Sequence, residues 1–213
     1  MIARVAALAL LTLTGACTLS SNVALIAPGV AVPELKTGTY RIYLPLEEAD
    51  ALKLGDVRAK ACLKTVRSVE GSDTLDGPRR TERIVYCDRD PETGEGPYDL
   101  ELRGTAGAYT LKGPEGETSL AFKGLGDGRY LAQTEKAPPS TAFEYTLAGF
   151  HGDDIDVFTL GCDEFPSVKQ TDGAGATRCE IASFDPVTPE LAKVIARIEA
   201  GTKAPLVILK LSR

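Results

Sequence analysis

The chain has 213 residues, 43% of them hydrophobic, and a formal net charge of −6. That length is enough for one domain that buries a sizeable core, and an acidic chain with no basic cluster beyond Arg79, Arg80 and Arg83 repels phosphate backbones, which excludes nucleic acid as a partner. The same sign disfavours broad docking on anionic lipid, and with a single histidine and no closely spaced cysteine pair a cysteine–histidine zinc site is not expected, nor any cofactor.

The chain opens MIARVAALALLTLTGAC: a positive start ending at Arg4, an apolar run from Val5 to Leu13, then the small residues Gly15 and Ala16 before Cys17. This is the layout of a secretory signal, and its apolar run is far shorter than the roughly 20 residues a membrane-spanning helix needs. Leu13, Thr14, Gly15, Ala16 and Cys17 resemble the lipobox of bacterial lipoprotein precursors. The resemblance implies removal of residues 1–16, lipidation of the Cys17 thiol and a mature chain that begins at Cys17. Thr18 stands where inner-membrane lipoproteins often carry aspartate, so the same resemblance implies the periplasmic face of the outer membrane. Several acyl chains together give the stable anchoring that one chain does not.

With Cys17 assigned to lipid, Cys62, Cys87, Cys162 and Cys179 remain, an even number for an oxidising compartment. Four cysteines allow three pairings. Cys62 with Cys87 and Cys162 with Cys179 is the expected set, since each pair brackets a polar, glycine-containing stretch suited to a loop between strands.

Residues 17–37 carry Pro28 and Pro33 and no helical period, which reads as a lipid-anchored tether; the apolar patch Val23 to Ala27 could instead pack on the domain as an edge strand. A single β-rich domain is expected over 38–213. Tyr40, Ile42 and Leu44 alternate with Arg41 and Tyr43 as in a strand, and LEEADALKLG follows as a short helix stopped by Gly55. AKACLKTVRSV and TERIVYC read as a hairpin centred near Asp73 to Leu75, a register that sets Cys62 opposite Cys87. YDLELRG, AYTLKG, TSLAFKG, RYLAQTE, AFEYTLAG and DIDVFTLGC then succeed one another between glycine- and proline-rich turns, an antiparallel meander. Tyr98, Leu100 and Leu102 share one strand face, as do Leu120 and Phe122, and Phe143, Tyr145 and Leu147. Such a greasy face must be covered by curling into a barrel or by a second layer. The stretch TPELAKVIARIEAG supplies a candidate cover, with Thr188 as N-cap, Pro189 first in the helix, Leu191, Val194, Ile195 and Ile198 on one face and Gly201 as the stop. PLVILKL reads as a final buried strand. The fold class expected is mainly β with some α: an antiparallel meander, barrel-like or open, with one C-terminal amphipathic helix packed on it.

Chemistry-bearing residues are few. His151 beside Asp153 and Asp154 could act as an oriented general base, but FHGDDID has the composition of a hairpin turn. Asp88, Asp90, Glu92 and Asp99 fall at positions one, three, five and twelve of an EF-hand-like loop, a weak calcium candidate, since Thr93 stands where glycine is needed and strands flank it. GLGDG and GAGAT join strands and read as hairpins. No nucleophile motif is present, so the expected role is non-catalytic: an envelope lipoprotein whose β-domain binds a protein partner or a small apolar ligand, against the alternatives of an envelope hydrolase using carboxylates or His151, and a purely structural protein. An apolar cavity open at one end would favour ligand carriage; convergence of His151 with acids in a cleft would favour the enzyme.

Overall fold

The computed structural model describes residues 18–71, 80–105, 107–114, 116–135, 142–168, 170–173 and 176–212. The leader, Cys17 and the hairpin centre at Asp73 to Leu75 lie outside the described residues. In chain order the strands are β1 (Leu19–Ser21), β2 (Gly38–Glu47), β3 (Cys62–Gly71), β4 (Arg80–Cys87), β5 (Tyr98–Thr105), β6 (Ala108–Gly113), β7 (Gly116–Gly126), β8 (Arg129–Glu135), β9 (Phe143–His151), β10 (Asp154–Thr159), β11 (Gln170–Gly173), β12 (Ala176–Glu180) and β13 (Val207–Leu211).

Eight of them close into a barrel. β2, β5, β6, β7, β8, β9, β10 and β13 pair in that order, every pair antiparallel, and β13 returns to β2. Closure pairs the strand edges that an open sheet would leave bare. Inside, the alternation in β2, β5, β7 and β13 delivers Tyr40, Ile42, Leu100, Leu102, Phe122 and Leu209 to one core. Outside, the wall made by β10, β13, β2 and β5 is polar. Asp154, Lys210, Arg41 and Asp99 lie side by side across four strands, with Lys210 to Asp154 at 3.0 Å and Arg41 to Asp99 at 3.1 Å.

The opposite wall is apolar on both faces. The helix Thr188–Glu199 packs there, burying Leu191 and Val194 with Ile195 and Ile198 against Leu131, Tyr145, Leu147 and Phe158. Phe143, Tyr145 and Leu147 were expected to form the single greasy face of their strand; they point outward to this second core, while Ala148 and Phe150 point inward to the first. A strand between two apolar layers has no polar side, so alternation alone does not tell which residues face the barrel interior. At the start of the helix, Thr188 lies one position later than expected: a 3₁₀ turn, Asp185–Val187, runs directly into the helix, and the Thr188 hydroxyl donates to the Phe184 carbonyl at 3.0 Å. Gly201 ends it in a left-handed conformation, φ 72°.

Two insertions leave the same end of the barrel. Between β2 and β5 lie the helix Glu48–Ala51, a 3₁₀ segment Leu52–Val57, the helix Arg58–Ala61 and the β3–β4 hairpin, around a small core of Ala51, Leu54, Ala61, Val85 and Cys87. Cys62 sits opposite Cys87 in the register and is bonded to it. Between β10 and β13 the 3₁₀ turn Cys162–Glu164 and the β11–β12 hairpin are joined by the Cys162–Cys179 disulfide. Both expected pairings are present.

Residues 18–37, read as a tether, lie against the barrel. β1 wedges between β9 and the continuation of β10: Ser20 pairs with Glu144, Thr18 bridges Gly161, and the Leu19 N–H donates to the Leu160 carbonyl at 2.9 Å. It also runs parallel to β12. The chain then descends the outside of β8 and crosses the end formed by the tight turns. There the Gly29 N–H donates to the Gly107 carbonyl at 3.0 Å, and the Val32 N–H to the Tyr109 hydroxyl at 3.0 Å. Lys36 pairs with Asp153 at 2.7 Å. A Cβ on Gly107 would run into the backbone of Gly29, so the crossing needs glycine at that turn. Leu19, Ile26 and Val32 are each buried at separate places on the barrel, spaced 7 and 6 residues apart in sequence without strand or helix period. That is why the segment reads as a linker.

Candidate functional site

An eight-stranded barrel is of the size at which the interior either fills with side chains or keeps room for one small ligand. Here the two halves differ. Toward the turn end, Tyr109, Phe122, Tyr130 and Phe150 meet edge to face, with ring centroids 5.3 to 6.3 Å apart, and fill the lumen. Val32 and Leu35 of the crossing segment plug what remains at that end. Its polar groups are paired: the Tyr40 hydroxyl donates to the Lys36 carbonyl at 2.7 Å, and the Tyr130 hydroxyl to Glu34 at 2.7 Å. Burial, the largest cause, pushes the Tyr40 phenol up, and the bond to Glu34 pushes that of Tyr130 up to about 12.

The other half holds a cavity of about 110 Å³. It exists because adjacent strands place small residues inward: Ala132 on β8 stands beside Thr146 on β9, and Ala148 beside Val157 on β10. Leu102, Phe122, Ala132, Ala148, Ile155 and Leu209 form its buried body. At the rim the lining becomes half-exposed: Thr134, Glu144, Thr146 and Thr159 on the β8–β10 side, Leu111 and Leu120 across from them. Thr18 completes the rim from β1's side. The result is an apolar chamber, closed below by aromatic rings and the crossing segment, with hydroxyls and one carboxylate at its mouth. For scale, an apolar cavity of about 150 Å³ elsewhere stays dry and takes up benzene.

None of these residues was singled out from the sequence as a site residue; Leu102, Leu120 and Phe122 were read only as apolar strand faces. The available signal was the run of small inward positions, Ala132, Thr146 and Ala148, but their facing depends on which side of β9 meets the lumen. The residues that were singled out lie elsewhere. His151 is in the β9–β10 turn as its composition requires, Gly152 adopting φ 69°. Its Nε2 is 3.8 Å from the buried Asp156 carboxylate, beyond hydrogen-bond length. The two share an outer groove of about 430 Å³ with Arg129 and Glu199, which pair at 2.9 Å. This is the convergence of histidine and acid that an enzyme would need, but no serine, threonine, cysteine or tyrosine is among the described residues lining the groove.

The acidic loop does not gather its carboxylates. Asp88 is buried with Arg41 and Arg89 at 3.7 Å each, and Asp99 turns to Arg41. Asp90 accepts the backbone N–H groups of Glu92 at 2.7 Å and Thr93 at 2.8 Å, the latter bond foremost in holding its carboxyl below the usual range. Two guanidinium groups thus stand beside two of the four acids of the calcium candidate Asp88, Asp90, Glu92 and Asp99. Among the described residues no group of three or more histidine, cysteine or acidic side chains could hold a metal ion. GLGDG forms the tight β7–β8 hairpin and GAGAT falls in the β11–β12 hairpin.

No family model, curated protein or solved structure matches the chain.

Proposed function

We propose that the protein is a non-catalytic lipoprotein of the outer membrane, anchored through Cys17 on the periplasmic face, whose barrel carries a small apolar ligand. The observation that carries the ligand reading is the chamber: an apolar space inside a closed barrel, sealed at the turn end and half-exposed at the rim. Enclosure of this kind removes most of a small ligand's surface from water, the dominant favourable contribution to its binding. The anchor reading rests on the leader and on Cys17. Among the described residues no helix is long and apolar enough to cross a membrane. A protein partner has less support, because the large exposed apolar side chains among the described residues are Val23, Val30, Leu52 and Val57, spread over separate segments of the chain.

Two experiments test this. Benzene or xenon uptake by the purified protein, read by ligand-observed NMR or calorimetry, is expected and should be lost in Ala148→Leu, which fills the chamber while leaving the circular dichroism of the barrel intact. Equal uptake by both proteins would overturn the carrier reading. For the anchor, Cys17→Ala is expected to abolish fatty-acyl labelling and release the protein into the soluble fraction; unchanged labelling and retention would overturn it.

The His151–Asp156 pair supports a second reading, an envelope hydrolase that activates water at the outer groove. Activity toward ester or glycoside substrates that disappears in both His151→Ala and Asp156→Asn would establish it in place of the first.

A further inference from the structure

Phe122 stands where the two halves of the lumen meet. It is 5% exposed, it lines the chamber, and it touches each of the other three aromatic rings of the turn-end half, with centroids 5.6 Å from Tyr109 and 6.3 Å from both Tyr130 and Phe150. Tyr130 and Phe150 close the set at 5.3 Å. Gly124, two residues along β7, pairs with Tyr130, and a Cβ there would already touch the Tyr130 ring at 3.7 Å, so the absence of a longer side chain lets that ring stay in place. Two of the rings are pinned from outside by the crossing segment. The Tyr109 hydroxyl accepts the Val32 N–H at 3.0 Å, and the Tyr130 hydroxyl donates to Glu34 at 2.7 Å. Val32 is itself buried in the same core, and Leu35 reaches the chamber lining. The floor can retreat from a ligand only by breaking these ring contacts and hydrogen bonds together, and interiors packed in this way yield little.

A fixed floor discriminates by length. A chain entering from the rim gains about fourfold in affinity for each methylene that passes from water into apolar surroundings. The gain ends where the chain meets Phe122, and further carbons stay at the half-exposed rim beside Thr134, Thr146 and Thr159. The chamber of about 110 Å³ is somewhat smaller than the cavity of about 150 Å³ that takes up benzene, which sets the buried part at about one small ring or four to five chain carbons. We propose that Phe122 is the residue that sets the length of ligand the barrel accepts, and that the ligand is a small molecule with one ring or a short chain as its apolar end, not a long-chain lipid. This rests on the reading of the chamber as a ligand site. A long acyl tail would leave most of its methylenes outside the barrel, so the tail as a whole gains little from it.

The test uses straight-chain alcohols from propan-1-ol to octan-1-ol, which share one head group, competed against fluorobenzene on the purified protein and read by fluorine NMR. Affinity is expected to rise by about fourfold per carbon up to about pentan-1-ol and by less than about 1.5-fold per carbon beyond it. Phe122→Ala, which removes a ring from the floor, is expected to carry the steep part at least about two carbons further, allowing for partial collapse of the new space. Leu191→Ala, which opens space in the core outside the barrel, is expected to leave the break where it is. An affinity that climbs evenly through octan-1-ol on the unaltered protein, a break that Phe122→Ala does not move, or one that Leu191→Ala moves equally would overturn the assignment, while fluorobenzene binding left the carrier reading standing. Binding of neither fluorobenzene nor any alcohol would overturn the carrier reading itself. Should Phe122→Ala fail to fold, Phe122→Leu takes its place with an expected shift of about one carbon, and the presence or absence of the break on the unaltered protein still decides.

Discussion

Gln133 shows how one side chain can stand in for a strand. It is 5% exposed on the outer face of β8, and its Oε1 accepts the backbone N–H groups of Leu25 at 2.8 Å and Ile26 at 2.9 Å and the Tyr145 hydroxyl at 3.2 Å, while Nε2 donates to the Ile26 carbonyl. Replacing it by leucine keeps the volume but strands two backbone donors, at about 1–3 kcal/mol each when buried. Gln133→Leu is therefore expected to lower unfolding free energy in urea by about 2–4 kcal/mol and to speed amide exchange at Leu25 and Ile26. Asp88 is the converse case. Burial, its largest influence, raises its carboxyl above the ordinary value despite Arg41 and Arg89, and its Oδ1 has no hydrogen-bond partner. A raised folded-state pKa means the fold binds that proton more tightly than the unfolded chain. The contribution is favourable at pH below the ordinary aspartate value and is lost as pH rises through the folded value. At neutral pH the ionised group is thus a liability, and Asp88→Asn should raise the melting temperature at pH 7 but not at pH 3; an equal shift at both would show that charge burial is not the cause.

At the level of elements, the two disulfides act on different insertions. The Cys162–Cys179 bond closes a sequence separation of 17 residues and holds the β11–β12 hairpin to the turn that follows β10, beside the helix. Replacing both cysteines by alanine should cost about 3 kcal/mol by loop-closure entropy, and the near-ultraviolet signal of the helix-side core should melt before that of the lumen. Leu191→Ala, on the docked face of the helix, should cost about 2–5 kcal/mol by lost burial and cavity formation, measured by denaturant unfolding. Strands with one wet face were legible in the sequence: β5 and β6 begin and end close to where alternation and glycine place them, and the Cys62–Cys87 pair follows from hairpin register. The helix face was legible as well, since its period needs no partner. What escaped is what depends on a third body. The inward side of β9 is set by the helix that covers its other side, and the course of residues 18–37 is set by acceptors such as Gln133 that alternate with nothing in that segment. Barrel closure escaped too, because the β10–β13 and β13–β2 pairings that complete the ring are ordinary antiparallel contacts with no mark of their own.

For the whole molecule, the rim and the turn end lie at opposite ends of strands up to 11 residues long, a spacing of tens of ångströms at about 3.3 Å per residue before tilt. Both insertions and Thr18 are at the rim; the crossing segment and the β5–β6, β7–β8 and β9–β10 turns are at the other end. An acyl group on Cys17 would hold the rim toward the bilayer. The chain contains no tryptophan, so single-tryptophan reporters are unambiguous. In vesicles containing brominated phosphatidylcholine, the fluorescence of Asp163→Trp, next to the disulfide at the rim, is expected to be quenched, and that of Ser212→Trp, just after β13, is not. Equal quenching of the two would rule out this orientation. The pairing of Thr18 with Gly161 then carries a mechanical meaning. On the proposal that Cys17 is acylated, the first ladder contact lies a single residue beyond the anchor, so the domain would have no slack to swing out into the periplasm, and a carried ligand would have to reach it along the surface of the leaflet.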